Sequence, residues 1–179
     1  MALTIVATAG SASANSFVTE AEQISYMATR LNASTWTTVT GATCTETEKA
    51  AMIEATRELS ALRWLGYRTD DTQILSWPRQ DVLNPDSPSE LDLDDETIPQ
   101  RVKDATAELA FQFLKAGTTD VAALDPNAHV AVKTVDVLTT EYVPVWARKT
   151  GLARYPSVLR YLRGLLAPTS GNALTVVRG

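Results

Sequence analysis

Four carboxylates stand close together between residues 92 and 96, and alternating carboxylates are typical of a calcium-binding loop. A loop of the EF-hand type needs a glycine at its sixth position and a closing glutamate at its twelfth. Counted from Asp92, these positions hold Thr97 and Lys103. The pattern therefore fails. Residues 81–96, which contain seven carboxylates and no basic residue, are predicted to form a solvated acidic loop.

Two further residues have side chains that could react. Cys44 is the only cysteine, so the chain has no internal disulfide and no thiolate metal site. His129 is the only histidine, and no serine or cysteine motif surrounds it. No stretch has the pattern of a phosphate-binding loop, a nucleophile elbow or a carboxylate pair placed for acid–base catalysis. We therefore expect no enzymatic activity, no cofactor and no metal.

Basic and aromatic residues alternate between residues 145 and 155, where Trp146, Arg148, Lys149 and Arg154 lie close together. Such a mixture is compatible with nucleic-acid binding and equally with an exposed loop that contacts a protein. The formal net charge is −5 and the pI is near 4.9. Because a basic face supplies most of the affinity for DNA or RNA, the overall charge favours the protein partner.

The triplet Trp77-Pro78-Arg79 has no catalytic chemistry but constrains the backbone. Proline fixes φ at about −65° and favours an extended conformation in the residue before it. We expect Trp77 and Pro78 to be structural anchors, and Arg79 to be either a buried anchor that orders the acidic loop or a solvated side chain. Pro99 is expected at the first position of a helix. The segment is therefore interpreted as a rigid joint between two helices.

Apolar residues at helical spacing predict four main helices, over residues 20–31, 45–65, 98–116 and 157–166. Capping boxes mark the first two starts, and Gly66 and Gly117 are the expected stops of the second and third helices. A further helical turn is expected at 121–124. Alternation from residue 130 to 143 predicts a strand or hairpin with a bulge near Thr134.

The fold class predicted from these elements is mainly α: a compact helical bundle with a small late β element and extended terminal arms. The 179 residues suffice for one domain with a core of its own. We divide them into an N-terminal arm (1–15), a helical domain (16–168, with the acidic loop 81–96 and the β element 130–143) and a C-terminal tail (169–179). No membrane helix or secretory signal is expected.

Several landmarks follow one another along the chain: Asn15-Ser16-Phe17-Val18, Trp36, the segments 50–57 and 64–68, Gln73 to Arg79, and Ile98 to Ala110. Their order resembles a family of tailed-bacteriophage proteins often labelled as DnaT-like single-stranded-DNA-binding proteins. Members of that family are placed structurally with head–tail connector, or adaptor, proteins. The similarity covers roughly residues 14–116, and the later strand, the pair Glu141-Tyr142 and the closing helix also resemble the connector pattern.

The resemblance implies a structural protein of the virion neck, assembled in the host cytoplasm and located at the head–tail interface. Its implied partners are the portal protein, neighbouring copies in a ring of commonly twelve, and the next neck or tail protein. Duplex DNA would pass through the ring during genome packaging without sequence-specific binding. The alternative is a DnaT-like single-stranded-DNA-binding or primosomal protein. The acidic charge favours the connector, because acidic surface along a channel leaves phosphates mobile.

A ring requires two different surfaces on each subunit that match each other. The candidates are the N-terminal arm, the acidic loop and the C-terminal tail. The apolar residues 174–177 suit the addition of a strand to a neighbouring copy or to the portal. The residues expected to contact partners are Leu174, Val176, Val177, Arg178, Trp146, Arg148 and Arg79.

Overall fold

The computed structural model describes residues 2–31, 33–36, 43–89, 91–117, 130–134, 139–142 and 151–168. The described chain is mainly helical with a small late β element, which confirms the predicted fold class. Its helices are α1 (Glu20–Thr29), α2 (Glu46–Ser60), α3 (Gln100–Ala116) and α4 (Pro156–Tyr161). Two antiparallel pairs of strands join β1 (Tyr67–Arg68) to β2 (Arg79–Gln80) and β3 (Val130–Thr134) to β4 (Thr139–Tyr142).

Both predicted capping boxes are present. At α1 the side chain of Thr19 accepts a hydrogen bond from the backbone N–H of Glu22, and the Glu22 carboxylate accepts the N–H of Thr19 at 2.8 Å. At α2 the same exchange joins Thr45 and Glu48. Each box satisfies N–H groups that have no partner inside the helix, and it holds a negative charge at the positive end of the helix dipole.

The predicted end of α2 is wrong, because the helix stops at Ser60 rather than near residue 65. The chain then leaves the helix and runs beside the segment that follows α4, where the Leu65 N–H donates to the Leu165 carbonyl at 3.0 Å. Gly66 is therefore not the helix stop. It has φ of +63°, and a side chain there would place Cβ only 2.2 Å from the Gln80 carbonyl oxygen. Close approach of β2 explains the glycine.

The structure moves three other helix boundaries, of which the first is the end of α1, at Thr29 rather than at residue 31. Pro99 is the N-cap of α3 rather than its first helical residue, and the helix ends at Gly117 as predicted, with φ of +67°. The last helix, α4, begins with Pro156 but ends at Tyr161, five residues before the predicted end. Beyond it the chain turns at Gly164, which lies against the ring of Pro85 in the acidic loop. The φ of +85° at Gly164 is incompatible with a helix that continues to residue 166.

The β element is a hairpin in which β3 pairs with β4 in antiparallel register, with Lys133 opposite Thr140. Its irregularity lies between Val130 and Val132, so the expected position near Thr134 is wrong. The helical turn expected at 121–124 lies outside the described residues.

α3 is the central helix of the bundle and contacts α1, α2 and α4. Its apolar face is fully buried, as the helical spacing predicted, through Val102, Ala105, Leu109 and Phe113. Burial of each large apolar side chain stabilises the fold by about 1.5–3 kcal/mol. The bundle is therefore organised around α3, and features on the other helices are positioned relative to it.

The N-terminal arm packs on the chain's own body. Asn15 links its two ends, since its side-chain oxygen accepts the Val6 N–H and its amide donates to the Thr4 carbonyl, both at 2.8 Å. At the start of the arm, the Leu3 N–H donates to the Glu46 carboxylate at the beginning of α2. Residues 3–15 are thus held by contacts within the same chain.

Candidate interaction surfaces

The Trp77-Pro78-Arg79 joint is built into the core. Trp77 is 1% exposed and packs edge-to-face against Trp64, with 5.4 Å between the ring centroids. The peptide bond between Trp77 and Pro78 is cis. The Gln73 side chain, also buried, donates to the carbonyls of Leu75 and Pro78 and closes the loop. Trp77 and Pro78 are therefore both buried at the joint, and their role as structural anchors stays a prediction.

Arg79 donates to three carbonyl oxygens of its own chain. Its Nε binds the Leu65 carbonyl at 2.6 Å, its Nη1 binds the Ser76 carbonyl at 3.1 Å, and its Nη2 binds the Gly66 carbonyl. Burial, and then the neighbouring charge of Arg68, lower the pKa of Arg79, yet an arginine stays protonated in proteins. These three hydrogen bonds thus hold the turn after α2 against the Trp77-Pro78-Arg79 joint.

The acidic loop (81–96) folds back on itself as a narrow arm, which we call the acidic arm. The Leu93 N–H donates to the Val82 carbonyl, and the Asn84 N–H donates to the Leu91 carbonyl. Val82 is buried, whereas Leu83 and Leu91 are 58% and 65% exposed. The arm therefore exposes two leucines to solvent among its carboxylates. Within the described residues, no group of three or more side chains is arranged to hold a metal ion.

Several cations of the helical body, which we define as the described residues between 16 and 117, are paired with carboxylates of the same chain. Each pair joins different parts of the fold or neighbouring turns: Arg30 with Glu108, Lys49 with Glu20 and Glu46, Lys103 with Glu22, Arg57 with Glu54, and Arg101 with Asp86. A cation held by a carboxylate offers little net attraction to a phosphate. The basic residues named here therefore stabilise the body more than they prepare it for nucleic acid.

The charge is distributed unevenly along the chain, which sequence reasoning based on the total charge missed. Residues 1–129 hold nine Lys or Arg and nineteen Asp or Glu, a net charge of −10. Residues 130–168 hold six basic and two acidic residues, a net charge of +4. Within the latter range, Arg160 and Arg163 are exposed at the end of α4. A count in windows along the sequence reveals this asymmetry.

A buried polar cluster joins α1, α3 and α4 around the carboxylate of Glu108. Arg30 donates to both of its oxygens, at 2.6 and 2.8 Å, and the Tyr26 hydroxyl donates to one at 3.2 Å. Gln112 donates a further hydrogen bond, and the hydroxyls of Tyr26 and Tyr161 lie 3.1 Å apart. Burial alone would raise the pKa of Glu108, but the hydrogen bonds from Arg30 and Gln112 lower it below its usual value.

The remaining candidate residues differ in where they lie. Cys44 is buried, and burial raises the pKa of its thiol to about 12, so the thiol is protonated at neutral pH and is a poor nucleophile.

Seven other residues that the sequence singled out lie outside the described residues: His129, Trp146, Arg148, Leu174, Val176, Val177 and Arg178. Among the helices that the structure describes, none is long and apolar enough to cross a membrane.

Comparison with known proteins gives a family for the whole chain. Residues 1–179 match the family described as "Putative DnaT-like ssDNA binding protein". No curated protein and no solved structure matches the chain. Because the match extends over every residue, the chain belongs to the DnaT-like ssDNA-binding protein family.

Proposed function

We propose that this chain is a structural subunit of a tailed-bacteriophage neck, a head–tail connector that docks beneath the portal as a ring around the DNA channel. The observation that carries the proposal is the arrangement of charge in the helical body. Five of its cations are held by carboxylates and Arg79 by carbonyls, while the acidic arm faces solvent. A body of this kind lets DNA pass without holding it.

The aromatic residues of the body support the same conclusion. A single-strand binder stacks bases on exposed aromatic rings that line a basic groove. Trp36, Trp64 and Trp77 are all buried, and their rings are not available for stacking. Tyr67 is the large aromatic residue that the described part of the chain exposes, at 69%, and it lies beside the joint, next to Arg68 in β1. The body thus has the chemistry of a scaffold.

The fold limits which surfaces of the subunit are available to neighbouring copies in the ring. The N-terminal arm is held by Asn15 and Glu46 of its own chain. The acidic arm, in contrast, exposes Leu83 and Leu91, which lie near each other where the two sides of the arm pair and offer apolar area that a partner can cover. We assign the acidic arm and the tail, rather than the N-terminal arm, to contacts with neighbouring copies, the portal or the next neck protein.

The connector role is tested with DNA-filled heads that lack this protein. We expect the purified chain to sediment with portal-bearing heads and to reduce the loss of packaged DNA, measured as DNA that survives nuclease treatment. Leu83→Asp combined with Leu91→Asp is expected to lower both readouts, because it places charge in the contact. Ile74→Asp, at another exposed apolar residue, is the matched control. Failure of the unmodified chain to associate with heads would contradict the connector proposal.

Single-stranded DNA binding is the second candidate function. Two observations favour it: the description of the family, and the net charge of +4 in residues 130–168, with Arg160 exposed on α4 and Arg163 exposed just beyond it. Binding through this region would bring the DNA beside the acidic loop, whose Pro85 lies against Gly164.

Fluorescence anisotropy with an oligothymidylate of about 30 nucleotides separates the two candidates. At about 150 mM salt, where exposed charges are strongly screened, we expect no saturable binding at micromolar protein. Binding that weakens steeply with salt, and is lost in Arg160→Glu combined with Arg163→Glu, would establish the second candidate. Arg57→Glu, a change of the same sign on the acidic part of the surface, serves as the control.

A further inference from the structure

An open groove with a volume of about 420 Å³ lies between the first half of α2 and the last turn of α3. Its floor is apolar through Phe113 and Leu114, and the small residues Ala50 and Gly117 leave it unfilled. Glu54 forms part of its wall, and the side chain is partly exposed. An apolar groove with one carboxylate at its edge fits a short apolar peptide that ends in a cation.

We propose that this groove binds residues 174–178 of a second copy of the chain, so that copies join head to tail. The segment reads Leu-Thr-Val-Val-Arg, an apolar and β-branched run followed by a cation. Residues of this type favour an extended conformation. From its first to its last Cα atom the extended five-residue segment spans about 13 Å, and the stretch of α2 from Thr47 to Glu54 spans about 10 Å. The segment and the groove therefore match in length and in polarity.

The position of the groove favours a second copy over the chain's own tail. The last described residues pack at the far end of α2, where the Ala167 N–H donates to the Arg63 carbonyl at 2.9 Å. Between Ser60 and Thr47 the helix rises by about 20 Å, so the tail leaves the bundle at the end opposite to Gly117. Two matching surfaces at opposite ends of one subunit are what a head-to-tail ring requires.

The charge of Glu54 fixes the direction of binding. The tail of the same chain would enter the groove from the C-terminal end of α2. It would pass Glu54 first and place Arg178 near Thr47. A tail that enters past Gly117 from another copy places Arg178 beside Glu54. The only cation paired with Glu54 in the described residues is Arg57, which is itself exposed. The carboxylate can therefore accept a second guanidinium. This inference rests on the proposed ring for its biological use, but not for its chemistry.

Peptide binding tests the groove directly. The receptor is the full chain with Val176→Asp, whose own tail cannot compete, and the probe is a fluorescent peptide of residues 170–179. We expect saturable binding, at least tenfold weaker when the peptide carries Val176→Asp. Ala50→Trp in the receptor fills the groove and is expected to abolish binding, whereas Ala61→Trp, at an exposed alanine just beyond α2, leaves it unchanged. Circular dichroism confirms that each receptor is folded. Absence of saturable binding overturns the proposal.

A charge exchange tests the direction. Glu54→Lys in the receptor is expected to weaken the unmodified peptide at least fivefold, and the peptide with Arg178→Glu is expected to recover that loss. Glu96→Lys makes the same change of charge at an exposed position outside the groove and controls for long-range attraction. An equal loss in both receptors, or no recovery by the exchanged peptide, contradicts a contact between Arg178 and Glu54.

Mixing two full-length variants tests the second copy. Ala50→Trp keeps a competent tail, and Val176→Asp keeps a competent groove, so each alone is expected to sediment as a monomer and the mixture as a one-to-one dimer. A mixture that stays monomeric above the dissociation constant of the peptide means that the tail of one copy does not reach the groove of another, which overturns the proposal. The assay contains no portal or heads, so its failure is distinct from failure of the connector role.

Discussion

Replacing Trp77 with alanine is expected to lower the free energy of unfolding by about 3–5 kcal/mol, the largest loss that one substitution outside the bundle helices should cause. The indole is 1% exposed and packs edge-to-face on Trp64. Its removal leaves a cavity at the point where the chain after α2 meets the joint. For a chain of this size the melting temperature should fall by about 6–20 °C, measurable by circular dichroism.

Two controls separate packing from general disturbance. Trp77→Phe keeps an aromatic ring against Trp64 and removes the indole N–H, which is buried without a hydrogen-bond partner among the described residues. We therefore expect its loss of stability to be clearly smaller than that of Trp77→Ala. Ile74→Ala, at an exposed residue of the same loop, should change the unfolding free energy by no more than about 0.5 kcal/mol. A small effect of Trp77→Ala would show that the joint is not a core anchor.

The starts of α1 and α2 and the end of α3 were predictable because the interactions that set them are local. Thr19 and Glu22 exchange hydrogen bonds across three residues, and Gly117 adopts a left-handed conformation that most other residues avoid. The end of α2 was not predictable in this way. It depends on Leu65 meeting Leu165, one hundred residues later, and no local signal marks such a pairing.

The polar cluster around Glu108 shows where sequence reasoning could have gone further. Glu108 lies between Ala107 and Leu109, within the stretch of α3 that the apolar spacing assigns to the core. A carboxylate buried in a core needs a cation or several donors, so its presence predicts a partner. The identity of that partner could not be predicted, because Arg30 and Tyr161 become neighbours only when α1 and α4 pack on α3.

The distribution of charge connects the fold to the two candidate functions. The total of −5 argues against nucleic-acid binding only if the charge is spread evenly, and here it is not. The body that the structure describes in detail neutralises many of its own cations, whereas residues 130–168 carry an excess of them. The connector and the DNA-binding proposals therefore concern different parts of one chain, and variants at Arg160 and Arg163 affect only the second.

Removing Arg30 while Glu108 remains is expected to lower the free energy of unfolding by about 2–3 kcal/mol. The Glu108 side chain is only 4% exposed, and without Arg30 it keeps a charge whose main counter-ion is gone. We place the loss below the roughly 3–5 kcal/mol that is typical of fully buried pairs, because Arg30 is one-quarter exposed. Arg30 also packs over Phe111, with 4.1 Å from its Cζ to the ring centroid. Urea denaturation measures the loss, and Arg57→Ala, in an exposed pair, should cost at most about 1 kcal/mol.

The pH dependence of stability distinguishes this ion pair from simple packing. Because the pKa of Glu108 in the folded chain lies below its ordinary value of 4.5, the pair contributes fully above pH 4.5 and loses its contribution as the pH falls through the folded-state value. We expect unmodified protein to lose stability below pH 4.5, and Glu108→Gln to lose less over the same range. In Arg30→Ala the burial of Glu108 raises its pKa, so its contribution no longer declines on acidification. Parallel pH profiles for the three proteins would show that Arg30 acts through packing on Phe111 rather than through the charge of Glu108.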